Sequence, residues 1–295
     1  MQELEGVCCG AVLSLGADGR TQAMLECLVA LGCAVVVGED VCRGMDPVVE
    51  LHALIRGARA VLLPTPAFRE DMCVLGMSQA LTMQELFSHM KPGTLLLGGR
   101  LTMQAKEAAA RAGISVIDYM NMEEVQLRNA IPSAEGAISL AMQEMDRTID
   151  GMSVLIVGYG RIGRVLAERL YAWGAQVCVA ARKEIDRVRI ACDGYRALKL
   201  VEGGSWKITG AYDVIFNTVP ARVIGEEALR RLPAATLLIE LASAPGGWSP
   251  AEAAECHTRV RYAPGLPAKY APRTAGYLIA EAIAPYLLEK EVGEG

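Results

Sequence analysis

The sequence predicts an α/β protein with two doubly wound parallel sheets, and three observations predict this class. The chain has 295 residues, more than one hydrophobic core usually supports. Short apolar runs alternate with amphipathic segments in two successive series, as strands and crossover helices do. A glycine-rich turn stands between a predicted strand and a predicted helix at the start of the second series. The composition, 52% hydrophobic and 21% charged, excludes a disordered chain.

The first series covers residues 1–130 and is predicted to be a flavodoxin-like substrate domain. Its apolar runs are bounded by turn residues, and the segments between them carry apolar residues at helical spacing. The predicted strands are Val7–Leu15, Ala34–Gly38, Ala60–Leu63, Thr94–Gly98 and Ser115–Asp118, and the predicted helices are Thr21–Leu31, Val48–Ile55, Thr82–Met90 and Thr102–Ala112.

A linking helix is predicted over residues 131–150. Ser133 is expected to be its N-cap, and Glu135 then lies near the positive end of the helix dipole. The second series covers residues 151–273, with strands predicted at Ser153–Val157, Gln176–Ala180, Asp213–Thr218 and Thr236–Leu241.

The last predicted helix begins at Thr274, and Pro285 is expected to kink or interrupt it. We expect residues 274–295 to pack back on the first domain and complete it. The cleft between the two domains is then the expected binding site.

Charge, hydropathy and cysteine usage limit the function classes. The net charge is −5, and no basic stripe suggests a nucleic-acid partner. The apolar runs are too short to span a bilayer, and the acidic N-terminus lacks the basic region of a signal peptide, so we expect a cytoplasmic protein without membrane contact. Nine cysteines without a C-x-x-C spacing predict reduced thiols and no metal site.

The residues Gly158-Tyr159-Gly160-Arg161-Ile162-Gly163 carry the strongest functional signal. A predicted strand precedes this turn and a predicted helix follows it, which is the context of a Rossmann-like dinucleotide site. Gly158 would form the tight turn, Gly160 would admit the diphosphate and Gly163 would allow close helix–strand packing. Arg161 would lie across the diphosphate. The alternative is a glycine-rich turn without a ligand.

The end of the next strand decides which dinucleotide is expected. An NAD-binding domain places Asp or Glu there for the ribose 2′-hydroxyl, but this chain has Ala181, Arg182 and Lys183. Two cations favour a 2′-phosphate, so the predicted cofactor is NADP, with NAD possible. Alternatively, Arg182 and Lys183 only begin a surface helix. The turn Asn217-Thr218-Val219-Pro220 is predicted to receive the nicotinamide half.

Histidine chemistry is not expected from this sequence. Its three histidines are His52, His89 and His257, and none lies in a recognisable catalytic context. Gly-, Pro- and Ser-rich loops at strand ends instead suit a small substrate with two carboxylates.

Several motifs in one order resemble the A subunits of dipicolinate synthases. The motifs are Asn129–Gly136, the glycine turn, Asn217–Pro220, Glu240–Gly247 and Ala263–Gly276, and the resemblance extends over nearly the whole chain. It departs from the family pattern in the first-domain loop, where the usual uninterrupted Gly-Asp-x-Arg-Gln is here Ala17-Asp18-Gly19-Arg20-Thr21-Gln22, and at Arg273, where the family has Lys.

The resemblance implies a fold like that of D-2-hydroxy-acid dehydrogenases. It also implies NADP-dependent oxidation of a dihydrodipicolinate intermediate of lysine biosynthesis to dipicolinate, pyridine-2,6-dicarboxylate, for sporulation. The expected setting is the mother-cell cytoplasm. The expected partner is the flavoprotein-like B subunit of the synthase, and the expected assembly of this chain is a homo-oligomer.

We predict that Arg20, Ser133, Ser243 and Thr274 hold the substrate carboxylates, with Glu135 or Asp18 as the proton acceptor. Two other functions stay open. A 2-hydroxy-acid dehydrogenase is disfavoured because its proton-accepting histidine is missing. A non-catalytic NADP-binding scaffold would bind cofactor without turnover.

Overall fold

The computed structural model describes residues 10–38, 47–201, 206, 208 and 210–288. These residues form two compact units: unit 1 comprises the chain up to Asn129 together with the part from Ala271 onward, and unit 2 runs from Ala130 to Tyr270. The start of the predicted strand Val7–Leu15 and the end of the predicted segment 274–295 lie outside the described residues.

Unit 1 contains a five-stranded parallel sheet in the order β2-β1-β3-β4-β5. Because β-strand side chains alternate between faces, β3 places Val61 in one apolar core and Leu62 in the other. The strands are β1 (Val12–Ser14), β2 (Val35–Val37), β3 (Ala60–Leu62), β4 (Leu95–Gly98) and β5 (Ser115–Asp118), and the first helices are α1 (Thr21–Ala30), α2 (Pro47–Gly57), α3 (Met83–His89) and α4 (Met103–Arg111).

The helix α11 (Pro272–Leu288) completes unit 1 by packing on α1. A Cβ atom at Gly276 would lie 2.6 Å from the Arg20 carbonyl oxygen and 2.7 Å from the Met24 nitrogen, so this contact needs glycine. Pro285 lies inside the helix, which continues to Leu288. In the part of the helix that the structure describes, Pro285 therefore does not interrupt it, and the alternative of a kink stays a prediction.

Unit 2 contains a six-stranded parallel sheet in the order β11-β10-β9-β6-β7-β8. Its strands are β6 (Ser153–Val157), β7 (Gln176–Ala181), β8 (Arg196–Lys199), β9 (Val214–Asn217), β10 (Leu237–Glu240) and β11 (Arg259–Tyr262), and its helices after residue 150 are α6 (Arg161–Ala172), α7 (Glu184–Cys192), α8 (Glu226–Arg231), α9 (Pro250–Glu255) and α10 (Leu266–Tyr270). The two parallel sheets confirm the predicted fold class.

The helix α5 (Glu123–Glu144) corrects the predicted linking helix over 131–150. It begins eight residues earlier, with Glu123 and Glu124 in its first turn, and Pro132 lies inside it. Ser133 is therefore not the N-cap, and Glu135 is not near the positive helix end. Tertiary packing outweighs the lost Pro132 hydrogen bond, because the buried alanines of α5 continue on both sides of it: Ala130, Ala134, Ala137 and Ala141.

No helix among the residues that the structure describes is both long enough and apolar enough to cross a membrane.

Candidate active site

A cavity of about 480 Å³ lies at the carboxyl ends of the strands in unit 2. From β6 the chain moves outward on one side through β7 and β8, and then on the other side through β9, β10 and β11. Ligands of open α/β sheets bind where the strand order reverses in this way. The lining includes most of the predicted cofactor residues, namely Gly158, Tyr159, Gly160, Arg182, Lys183, Thr218, Val219 and Pro220.

The glycine turn has a different steric requirement at each glycine. Gly158 has φ +101°, a backbone conformation that L residues rarely adopt. A Cβ atom at Gly163 would lie 2.2 Å from the carbonyl oxygen of Gly158, so only glycine lets α6 approach β6 this closely. A Cβ atom at Gly160 would meet no atom within 4 Å. The open space at Gly160 lies before the start of α6, where the amide groups and the helix dipole favour a diphosphate.

The other residues of the turn fasten it to unit 2. The Tyr159 hydroxyl donates a hydrogen bond to Asp193, and the Arg164 guanidinium lies 5.3 Å from the centre of the Tyr159 ring. Ile162 packs against the core, and Arg161 is exposed as the first residue of α6. The turn is thus held on both sides of its open centre.

The residues after β7 place cations and one carboxylate in the cavity wall. Arg182 and Lys183 line the cavity directly after Ala181, and Asp186 lines it from the first turn of α7. Asp186 lies 3.5 Å from Arg189, which partly balances its charge. The Arg187 guanidinium donates a hydrogen bond to the Arg182 carbonyl oxygen and fixes the backbone of this loop.

The turn after β9 is organised by Asn217, whose side chain is fully buried. Its Nδ2 donates to the Val219 carbonyl oxygen at 3.0 Å, and its Oδ1 accepts from the Val219 amide at 3.2 Å. Thr218 donates through its hydroxyl to the Val157 carbonyl oxygen at 2.9 Å. Asn217 therefore supports the cavity wall from behind, while Thr218 and Val219 line it.

Glu240 is a buried carboxylate at the end of β10 that sequence reasoning placed only at the start of a loop motif, without a role. It is 5% exposed and accepts hydrogen bonds from Asn217 Nδ2 at 2.7 Å, the Gly247 amide at 2.7 Å and the Ala242 amide at 3.0 Å. Burial raises the pKa of Glu240, although these three donors act in the opposite direction. The available signal was an acidic residue ending the fully apolar run Leu237–Ile239.

Unit 1 has its own polar group at the point where its strand order reverses, between β1 and β3. Arg20 donates from Nε to Asp18 Oδ1 and from Nη2 to Asp18 Oδ2, both at 3.0 Å, and Nη2 also reaches the Thr65 carbonyl oxygen at 3.0 Å. The Thr65 amide donates to Asp18 at 2.7 Å, and the Thr65 hydroxyl donates to Tyr119 at 2.9 Å.

These contacts determine the ionisation of Asp18. Burial by itself raises its pKa, but the hydrogen bonds and charge of Arg20, together with the amides of Thr65 and Arg20, outweigh that effect and lower the pKa of Asp18. Asp18 is therefore an ionised group that holds Arg20 in one orientation.

The remaining predicted catalytic residues are placed separately. Ser133 is buried in the middle of α5, whereas Glu135 is exposed on the same helix and lies 3.2 Å from Arg169. Ser243 is exposed in the loop after β10, and Thr274 is exposed in the first turn of α11. Asp18, Arg20 and Thr274 belong to unit 1, while Ser133, Glu135 and Ser243 belong to unit 2.

The histidines and metal-binding side chains add no further site in the described residues. His52 stacks on His89 with ring centres 3.8 Å apart, and His52 Nε2 lies 3.0 Å from Glu85. No group of three or more His, Cys, Asp or Glu side chains in this part of the chain could hold a metal ion.

The fold and the cavity of unit 2 define a nicotinamide-nucleotide-binding domain of the dehydrogenase type. In agreement, the family profile described as "D-isomer specific 2-hydroxyacid dehydrogenase, NAD binding domain" matches residues 125–245. The profile of the N-terminal domain of dipicolinate synthase A subunits matches residues 11–120.

Individual relatives point to one family. The chain is 31% identical to the A subunit of dipicolinate synthase from Bacillus subtilis (strain 168) over 204 residues, which cover 68% of this chain and 67% of that protein. The chain belongs to the family of dipicolinate synthase A subunits, which confirms the resemblance seen in its sequence motifs.

Two crystal structures agree with this assignment. The A subunit of dipicolinate synthase from Bacillus halodurans superposes with a TM-score of 0.84 at 27% identity, covering 96% of this chain and 99% of that one. The corresponding crystal structure of the Bacillus subtilis protein gives a TM-score of 0.81 at 25% identity, covering 94% and 95%.

Proposed function

We propose that this chain is an NADP-dependent oxidoreductase that converts a dihydrodipicolinate-type intermediate to dipicolinate. The observation that carries the proposal is the glycine-turn cavity with Arg182 and Lys183 in its wall, in a member of the family of dipicolinate synthase A subunits. The cavity fits a dinucleotide because the space beside Gly160 is open and the neighbouring Tyr159 is held by Asp193 and Arg164.

The preference for NADP follows from the charges after β7. Arg182 and Lys183 bring two cations to the place where an NAD-binding domain keeps an acid for the ribose 2′-hydroxyl. Asp186 is the opposing charge, but Arg189 lies beside it. A 2′-phosphate would therefore meet a net positive wall, which supports NADP as the cofactor.

Arg20 is the proposed anchor for a substrate carboxylate. It is 7% exposed, and Asp18 and Thr65 hold it through Nε and Nη2, while its Nη1 takes part in no hydrogen bond among the described residues. A buried guanidinium that is already oriented binds a carboxylate with little further loss of side-chain entropy. Ser133, Ser243 and Thr274 stay proposed as further carboxylate contacts.

The oxidation removes a hydride from one ring carbon and a proton from the ring, so that the product is aromatic. A bound nicotinamide nucleotide supplies the two-electron acceptor. Aromatisation favours the reaction, so the residues of this chain mainly orient the substrate and exclude water. Asp18 and Glu135 are the proposed proton acceptors, although Asp18 has a lowered pKa and Glu135 is paired with Arg169.

The family membership supports two further parts of the proposal. We place the reaction in the mother-cell cytoplasm of a sporulating bacterium, and we assign the B subunit of a dipicolinate synthase as the protein partner. A homo-oligomer is the proposed assembly of this chain itself.

The test measures reduced nucleotide and aromatic product together. The purified chain is offered NADP⁺ or NAD⁺, with the intermediate generated in situ from pyruvate and aspartate semialdehyde, in the presence and in the absence of a B subunit. We expect reduction to prefer NADP⁺ and to yield a pyridine dicarboxylate. Cofactor binding without reduction in any combination would refute the enzyme assignment and favour the scaffold function.

A further inference from the structure

The buried carboxylate of Glu240 joins two loops of unit 2. One is the turn 217–224 after β9, which contributes Thr218, Val219 and Val223 to the cavity wall. The other is the loop 241–247 after β10. Glu240 Oε1 accepts from Asn217 and Ala242, and Oε2 accepts from Gly247.

The two loops are also joined directly beside this carboxylate. The Gly247 carbonyl oxygen accepts from the amides of Val223 at 2.9 Å and Ile224 at 2.8 Å. A Cβ atom at Gly247 would lie 2.6 Å from Asn217 Nδ2, and one at Gly246 would lie 2.9 Å from Glu240 Oε2. A side chain at either glycine would therefore displace Asn217 or Glu240.

The hydrogen bonds favour the ionised form of Glu240, in opposition to the burial that raises its pKa. All three partners are N–H donors, so both carboxylate oxygens must accept. If Glu240 were protonated or replaced by glutamine, its own O–H or N–H group would face one of these N–H donors. A buried polar group would then have no hydrogen-bond partner. Because its oxygens are already engaged and it stands behind the cavity wall, Glu240 is not suited to take a proton from a substrate.

We propose that Glu240 is a positioning residue that sets the shape of the nicotinamide half of the cofactor cavity through Asn217. This inference rests on the proposed binding of a nicotinamide dinucleotide. With the diphosphate at the turn after β6, the adenosine half lies toward Arg182 after β7, and the nicotinamide half lies toward the turn after β9. Only the second half contacts the wall that Glu240 supports.

The experiment compares a whole cofactor with a fragment that lacks the nicotinamide. The dissociation constants of NADPH and of 2′,5′-ADP are measured by fluorescence titration and by competition for the wild type and for Glu240→Gln. We expect Glu240→Gln to weaken NADPH binding about tenfold, because the turn after β9 must shift to relieve the contact between two N–H donors and then no longer fits the nicotinamide half. The dissociation constant of 2′,5′-ADP should stay within about twofold. Glu255→Gln makes the same chemical change at an exposed position and should change neither constant.

A second variant pair tests the hydrogen bond itself. Asn217→Asp places two carboxylates against each other and should also weaken NADPH binding. The double variant Glu240→Gln/Asn217→Asp restores a donor–acceptor pair between these two side chains, although the Ala242 amide and the Val219 carbonyl oxygen lose their partners. We therefore expect its loss of NADPH binding to be smaller than the sum of the two single losses, and additive losses would contradict a direct hydrogen bond. Thermal unfolding of each variant shows whether unit 2 remains folded.

The outcomes separate this inference from the proposed function. If the wild type binds neither NADPH nor NADH, both are overturned. If the wild type binds NADPH and Glu240→Gln binds it equally well, Glu240 has no positioning role while the proposed function stands. If Glu240→Gln weakens the binding of NADPH and of 2′,5′-ADP equally, the substitution has caused a general loss of structure, and the inference is also overturned.

Discussion

Substituting the central glycine of the turn should separate cofactor binding from folding. Gly160 has φ −83° and ψ −158°, which alanine adopts without strain, and its Cβ atom would meet no atom within 4 Å. Gly160→Ala should therefore leave the free energy of unfolding unchanged, or raise it by about 0.4–1 kcal/mol through the unfolded state. The new methyl group would occupy the space proposed for the diphosphate.

The expected loss of binding can be estimated from the contacts at that position. Displacing the diphosphate from one backbone amide removes a charge-assisted hydrogen bond worth about 1.5–3 kcal/mol. This corresponds to an increase of about 10- to 150-fold in the dissociation constant of NADPH. Fluorescence titration measures that constant, and urea unfolding measures the stability of the same preparation.

Gly163→Ala is the matched comparison because it makes the same chemical change three residues away. Its Cβ atom would lie 2.2 Å from the Gly158 carbonyl oxygen, so α6 must move, and we expect a loss of stability of about 1–3 kcal/mol. If Gly160→Ala binds NADPH with the wild-type dissociation constant, the diphosphate does not lie at this turn. If Gly160→Ala is as unstable as Gly163→Ala, the space around Gly160 is not open to a methyl group.

Three further predictions address the charges and the packing. Arg182→Ala should weaken NADPH binding about tenfold in titrations and should change NADH binding little. The control Arg231→Ala, at an exposed position, should change neither. Equal losses for both nucleotides would show that Arg182 does not contact the 2′-phosphate. Asp18→Asn leaves a buried guanidinium uncompensated and should cost about 3 kcal/mol at neutral pH in urea unfolding. The folded-state pKa of Asp18 is lowered, so the stabilisation by its ionised carboxylate is complete above the ordinary Asp pKa. This stabilisation is lost as the pH falls through the lower folded-state pKa. A stability difference between wild type and Asp18→Asn that stays constant down to pH 3 would contradict this prediction. Gly276→Ala should destabilise unit 1 by about 1–3 kcal/mol because α11 cannot then approach α1, and unchanged thermal unfolding would refute that contact.

Local sequence patterns are sufficient to predict most strands of both sheets. The strands Ser115–Asp118 and Ser153–Val157 have the same bounds in the prediction and in the structure. Buried parallel strands are continuous apolar runs, which a sequence shows directly. The exposed edge strand β8 is missing from the prediction because Arg196–Lys199 has two charged ends and only a short apolar centre.

The site is harder to predict because its contacts join residues distant in sequence. The glycine turn and the residues after β7 are local signals, and the structure places them around one cavity. The partnership of Glu240 with Asn217 depends on β9 and β10 being neighbours, which single residues do not reveal. Pro132 misleads for the opposite reason, since its local preference for a helix start is overridden by the packing of buried α5 residues on both sides of it, such as Ala130 and Ala134.

The way the chain divides between its units has a consequence for its synthesis. Unit 2 is one continuous stretch, Ala130–Tyr270, whereas unit 1 needs α11 from beyond residue 270 to cover α1. At ordinary rates of translation, the stretch between the two parts of unit 1 takes on the order of 10 s to emerge from the ribosome. During that interval the apolar side chains that α11 buries in unit 1, such as Leu28 and Met24, lack their partner. Unit 2 can therefore fold first. The chain is most exposed to aggregation or chaperone capture during synthesis, before α11 has emerged to cover the first part of unit 1.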